Sequence, residues 1–122
     1  MGGMATSVSR NPSPEGWSLG QFVPVRSEST AITVQPEDRI LVLTGTTGRT
    51  FTLQTAARNT GRIIWFKNGC SADVDLTIDG AGDETIDGLA TFVLDQHESV
   101  AIVSDGTNWL TLGRGGINGT AA

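Results

Sequence analysis

The stretch Ser99–Val100–Ala101–Ile102–Val103–Ser104–Asp105–Gly106–Thr107–Asn108–Trp109–Leu110–Thr111–Leu112 decides the fold class. Two runs of β-branched and large apolar residues flank an Asp-Gly turn signal, in which Asp caps the turn backbone and Gly takes positive φ. The same punctuation recurs upstream, roughly every ten residues. Thr91–Phe92–Val93–Leu94 precedes the polar turn Asp95–Gln96–His97–Glu98. Val74, Leu76 and Ile78 alternate with Asp75, Thr77 and Asp79 before Gly80–Ala81–Gly82–Asp83 and Glu84–Thr85–Ile86–Asp87–Gly88.

Further towards the N-terminus, Thr50–Phe51–Thr52–Leu53–Gln54 places Phe51 and Leu53 on one face of a strand. Ile32 and Val34 alternate with Thr33 and Gln35, and after Pro36–Glu37–Asp38 comes the apolar run Arg39–Ile40–Leu41–Val42–Leu43–Thr44; the pair reads as a hairpin. Thr55 to Gly61 suits a short helical turn or a wide loop. Ile63, Ile64, Trp65 and Phe66 make the next strand apolar on both faces, as in strands covered from both sides. In a chain of 122 residues the second cover is expected from another subunit, so these four form the expected subunit interface.

The pattern gives about eight or nine short strands and no long helix, which indicates an all-β fold. A small antiparallel β-sandwich of jelly-roll type and a β-prism knob both fit it. The expected interior comprises Ile40, Val42, Phe51, Leu53, Ile63, Trp65, Leu76, Ile78, Ile86, Leu94, Val100, Ile102 and Trp109. The expected division is an extended N-terminal arm over 1–30, a β knob over 31–112 and a Gly-rich C-terminal tail over 113–122.

The arm is rich in Ser, Pro and Gly, with Pro12, Pro14 and Pro24 favouring extended geometry. It also carries Trp17, Leu19, Phe22 and Val23, which a mere spacer does not need. Two readings stand: these side chains fold back over an edge of the knob, or they anchor the arm on another chain.

Thirteen acidic residues against eight basic ones give a net charge of -5, which argues against a nucleic-acid partner. Arg10 and Arg26 balance Glu15 and Glu28, so the acidic excess lies beyond residue 30. One Cys and one His allow neither an internal disulfide nor a metal cluster of their own. No apolar run reaches bilayer-spanning length, and Met1–Gly2–Gly3–Met4 lacks the apolar core of a signal peptide, so no membrane association and cytoplasmic synthesis are expected.

Asp79, Asp83, Glu84 and Asp87 fall close together, as a calcium site or a carboxylate pair would require, but their spacing fits turn-capping better. His97 reads as a solvated turn histidine and Cys70 as a loop thiol. Arg49, Arg58, Arg62 and Lys67 read as solvated strand ends or as a patch for an acidic partner. No catalytic residue, metal ligand or cofactor is assigned.

The ordered succession Gly48–Arg49–Thr50–Phe51–Thr52–Leu53, Gly61–Arg62–Ile63–Ile64–Trp65–Phe66–Lys67–Asn68, Glu84–Thr85–Ile86–Asp87–Gly88 and Ser99–Val100 with Ser104–Asp105–Gly106–Thr107–Asn108–Trp109 resembles a β module of tailed-bacteriophage structural proteins. Such modules occur at tail-fibre ends and in capsid-decorating proteins. The resemblance covers about residues 31–112. It implies a non-enzymatic virion protein, assembled in the host cytoplasm, that forms a homotrimer. The short arm in place of a long shaft favours a capsid decoration (cement) protein bound to the major capsid protein through Trp17, Leu19, Phe22 and Val23. The alternative is a short tail fibre or tail-attached knob that binds a tail or portal protein and touches the host. From other classes, a polysaccharide-cleaving spike and a carbohydrate-binding module stay open.

Overall fold

The computed structural model describes residues 22–115. Among the described residues nine strands follow one another: β1 (Val25–Glu28), β2 (Ile32–Thr33), β3 (Ile40–Leu43), β4 (Arg49–Thr52), β5 (Ile63–Asn68), β6 (Leu76–Asp79), β7 (Thr91–Leu94), β8 (Ser99–Ser104) and β9 (Trp109–Gly115). A 3-10 turn at Ala56–Arg58 lies between β4 and β5, where the sequence suits a short helical turn. The fold is all-β, built from two mixed sheets.

One sheet has five strands in the order β9-β8-β5-β3-β1, the other four in the order β2-β4-β6-β7. Successive strands alternate between the sheets through β6. β1, β3 and β5 therefore stack in parallel in the first sheet, and β2, β4 and β6 in the second. Three coils of a parallel stack result. β7 then pairs antiparallel with β6, and β8 and β9 complete the first sheet by antiparallel pairing with β5 and with each other.

This corrects the expected antiparallel sandwich. Alternating polarity reports which face a residue takes but not the direction of its neighbour, so parallel and antiparallel pairing look alike in it. The expected hairpin of Ile32–Val34 with Arg39–Thr44 is likewise absent, because β2 and β3 belong to different sheets. The turn between them forms a corner: Asp38 N donates to Gln35 O at 3.0 Å, and Gln35 N donates to Asp38 Oδ2 at 2.7 Å.

Both sheets turn apolar residues into one core. Leu41, Leu43, Ile64, Phe66, Val100, Ile102 and Trp109 come from the first, and Phe51, Leu76, Ile78 and Leu94 from the second; Ile86 joins them from the loop between β6 and β7. The expected interior is correct except in β3 and β5, where the phase is the opposite. Ile40 and Val42 are only half-buried, and Ile63 and Trp65 are exposed, while Leu41, Leu43, Ile64 and Phe66 point inward. An apolar run with no polar member leaves its phase open.

The edges of the module also move. β1 lies within the expected arm, held by a parallel ladder to β3 and by Arg26, which contacts Asp38 at 2.8 Å and Glu28 at 3.0 Å. β9 runs past Leu112 to Gly115. Trp17 and Leu19 lie outside the described residues, and Phe22 and Val23 precede β1 as exposed side chains.

Asn68 ends β5 wholly buried. Its amide donates to Val74 O at 2.8 Å and to Leu94 O at 3.0 Å, and its Oδ1 accepts from Cys70 N at 3.2 Å. One side chain thereby ties β5 to the loop before β6 and to the end of β7 in the opposite sheet. Asn68→Ala strands two carbonyls and an N–H in the core, each unmade bond costing about 1–3 kcal/mol before relaxation and rehydration. We expect the variant to lose about 2–4 kcal/mol of stability, measured by chemical denaturation.

Candidate interaction surface

Because β5 is flanked by β3 and β8, its outward side chains sit in the middle of the five-stranded sheet. The cross-strand register aligns Val25, Ile40, Trp65, Ala101 and Gly113 in one row from edge to edge. A second row runs Ile63, Val103, Leu110. Val25 is 60% exposed, Trp65 51%, Ile63 42% and Leu110 42%, and Leu112, at the irregularity in β9, is 57%. The next row, Ser27, Val42, Lys67, Ser99 and Gly115, is more polar and forms a rim.

The outer face of the other sheet differs in chemistry. Its rows are Thr33, Thr52, Asp79 and Thr91, then Thr50, Thr77 and Val93. Threonine suits a pleated surface in water, and a lone Val93 there is unexceptional. A contiguous apolar patch on one sheet, opposite a polar face on the other, singles out the first as the candidate interaction surface.

The four expected interface residues divide accordingly. Ile63 and Trp65 lie on this surface, whereas Ile64 and Phe66 are core residues that no partner reaches in the folded chain. Reading the four by residue type missed Val25, Ile40, Val103 and Leu110. The signal was present: on β3 and β8 the positions of both parities are apolar, as on β5. Of the expected arm contacts, Phe22 is fully exposed and Val23 partly so, beside Val25 at one end of the apolar row.

Several of the other candidate groups bond within the fold. Glu84 Oε1 accepts from Ala56 N at 2.9 Å, and Asp87 accepts from the backbone N–H and the hydroxyl of Thr111. Among the described residues no three His, Cys, Asp or Glu side chains converge as metal ligands. His97 takes φ +70° in the turn before β8, and its carbonyl accepts from Lys67 Nζ at 2.7 Å. Cys70 lies in the loop after β5, as the sequence reading has it, with its side chain buried in the core; burial pushes its pKa up and away from thiolate chemistry.

Arg62 is neither a solvated strand end nor part of a free patch. Its guanidinium donates to Gln54 Oε1 at 2.8 Å, Asn59 Oδ1 at 3.0 Å, Gln35 O at 2.8 Å and Asp38 O at 2.6 Å, clamping two corners together. Burial lowers its pKa, which stays far above neutrality as for any arginine. The hydrogen bond with Glu28, followed by the charge of Asp38, raises the pKa of Arg26. Arg26 pairs with Leu41, which leads through Phe66 and Val100 to Arg114, so a charged group stands at each end of this row, Arg26 on β1 and Arg114 on β9.

Comparison of the chain with protein-family models, with curated proteins and with solved structures gives no match.

Two carboxylates give the module an acid-sensitive term. Glu98 accepts from Arg114 Nη2 at 2.7 Å and from Asp95 N at 2.8 Å, and the Arg114 bond is the main reason its pKa falls below the ordinary 4.5. Asp105 accepts from the backbone N–H groups of Asn108 and Thr107, which lower its pKa below 3.8. Between the folded and unfolded values the unfolded chain binds more protons, so stability rises with pH there. The contribution is complete above pH 4.5 and disappears as pH falls through the folded values. Equilibrium unfolding should show flat stability from neutrality down to that point and a decline below it, with a shallower decline in Glu98→Gln.

Proposed function

We propose that the protein is a non-enzymatic structural component of a bacteriophage virion: a homotrimeric capsid decoration protein whose N-terminal segment binds the major capsid protein and stabilises the head. The observation that carries the reading is the apolar outer face of the five-stranded sheet, centred on Trp65. Covering such a face in water is favourable by roughly 25 cal/mol per Å², and a second copy always presents the same chemistry. The succession of motifs that resembles the phage module supplies the class.

Three further features support the assignment. Glu84, Asp87 and Arg62, among the charged residues singled out in the sequence, hold one segment of the chain to another, which fits a rigid building block. The Arg26–Glu28–Asp38 cluster closes the end of the parallel stack where another coil of a continuous shaft would dock. That favours decoration over a knob continuous with a fibre shaft. Three N-terminal segments on one trimer engage neighbouring sites together, and avidity raises binding by as much as ~100-fold over one segment. A ligand of the assembled lattice that does not bind free coat subunits stabilises the shell by mass action.

Light scattering after size exclusion should give three times the chain mass of 12.8 kDa. Trp65→Glu, at a half-exposed position, should give the single-chain mass with unchanged β circular dichroism; a wild-type monomer would remove the reading's main support. Because β1 belongs to the folded module, the truncation that tests attachment removes residues 1–21 only. The truncated trimer should remain intact and fail to co-sediment with shells of the same virus's capsid protein, and undiminished binding would sink the segment's role.

A further inference from the structure

We infer that the three copies turn the outer faces of their five-stranded sheets towards the threefold axis, and that the β1 edge of each copy meets the β9 edge of the next. The inference rests on the trimer proposed above and specifies its contact.

Symmetry requires two patches. A ring closed by rotation is heterologous: one patch of each subunit meets a different patch of its neighbour. The apolar face has two such patches at its opposite edges, about four strand spacings or roughly 19 Å apart. Phe22, Val23 and Val25 are exposed at the β1 edge, and Leu110 and Leu112 at the β9 edge. Trp65 stands midway, on β5.

The row Val25, Ile40, Trp65, Ala101 and Gly113 crosses the whole face at one level. Three such faces arranged as a triangular prism bring Trp65 towards the axis and leave Val25 of one copy beside Gly113 of the next at each corner. A Cβ at Gly113 would meet nothing within 4 Å, so the corner has room for a neighbour's valine. Val25, Ile63, Trp65, Leu110 and Leu112 are all exposed by 40% or more, an apolar surface that the ring divides between each copy's two neighbours.

Cysteine cross-linking of the full chain tests the contact. Val25→Cys/Gly113→Cys, treated with a short bis-maleimide, should give covalent dimers and trimers on a denaturing gel. Each single variant should give neither, and the wild type controls for the buried Cys70. Single variants that cross-link as well as the double would place like edges together and overturn the inference while leaving the trimer standing. A protein with trimer mass whose double variant stays uncross-linked overturns it too, whereas a monomeric mass brings down the trimer reading and the contact with it. Should Gly113→Cys lose the wild-type circular dichroism, Val25→Cys/Leu110→Cys carries the same test with the same outcomes.

Discussion

Parallel pairing of Ile40–Leu43 with Ile63–Asn68 fixes which side of the five-stranded sheet every apolar residue takes. Side chains alternate along a strand, so a slip of one residue would send Leu41, Leu43, Ile64 and Phe66 into water and bring Ile40, Val42, Ile63 and Trp65 inside. Both sets are apolar, and hydrophobicity alone barely distinguishes them. The polar residues break the tie. Asn68 shares the parity of Phe66, and only the observed phase lets its amide reach Val74 O, Leu94 O and Cys70 N. The same phase leaves Lys67 outward, where its ammonium stays partly hydrated while reaching His97 O.

A chain that alternates between two sheets must turn a corner after each strand, and every corner leaves backbone groups that no ladder satisfies. Side chains supply the partners. Arg62 takes carbonyls from the corner at Gln35 and Asp38 together with side-chain oxygens of Gln54 and Asn59. The buried Ser104 hydroxyl donates to Ala56 O at 2.6 Å and accepts from Gly106 N at 3.0 Å. Gly106 takes φ +97° there, and a Cβ would lie 3.0 Å from the Thr60 hydroxyl. Burying part of a guanidinium costs hydration, as the lowered pKa of Arg62 reflects, and four acceptors offset that cost.

Much of this was legible in the sequence. Asp95–Glu98 and Asp105–Asn108 announce their turns because their chemistry is local: Asx capping and positive φ need no distant partner. β4 and β6 were legible because their apolar residues share one parity. Pairing direction was not, because Ile32–Val34 and Ile40–Leu43 have the same alternation whether they face each other across a hairpin or belong to opposite sheets. The interaction surface was half legible. The doubly apolar Ile63–Phe66 announced an apolar outer side, but which two residues supply it depends on Asn68, whose partners lie 6 and 26 residues further along the chain. β1 was hidden for a related reason: Val25–Arg26–Ser27–Glu28 has one apolar residue in four and becomes a strand through a ladder to β3 and an ion pair with Asp38, twelve residues on.

The strand directions also bear on what a trimer presents. β9 runs parallel to β1, since β5 and β8, then β8 and β9, reverse direction twice. Val25, which opens β1, is level with Gly113, close to the end of β9. The chain therefore enters the sheet from one end of its strands at β1 and leaves β9 towards the other. In a threefold arrangement with strands along the axis, all three entries gather at one pole and all three exits at the opposite pole. Phe22 and Val23 lie at the entry, so strand direction sets the pole at which the proposed attachment through the N-terminal segments would occur. The proposed attachment at one pole and display at the other would then need no hinge or rearrangement, because the faces follow from the parity fixed at Asn68 and the poles from the strand directions.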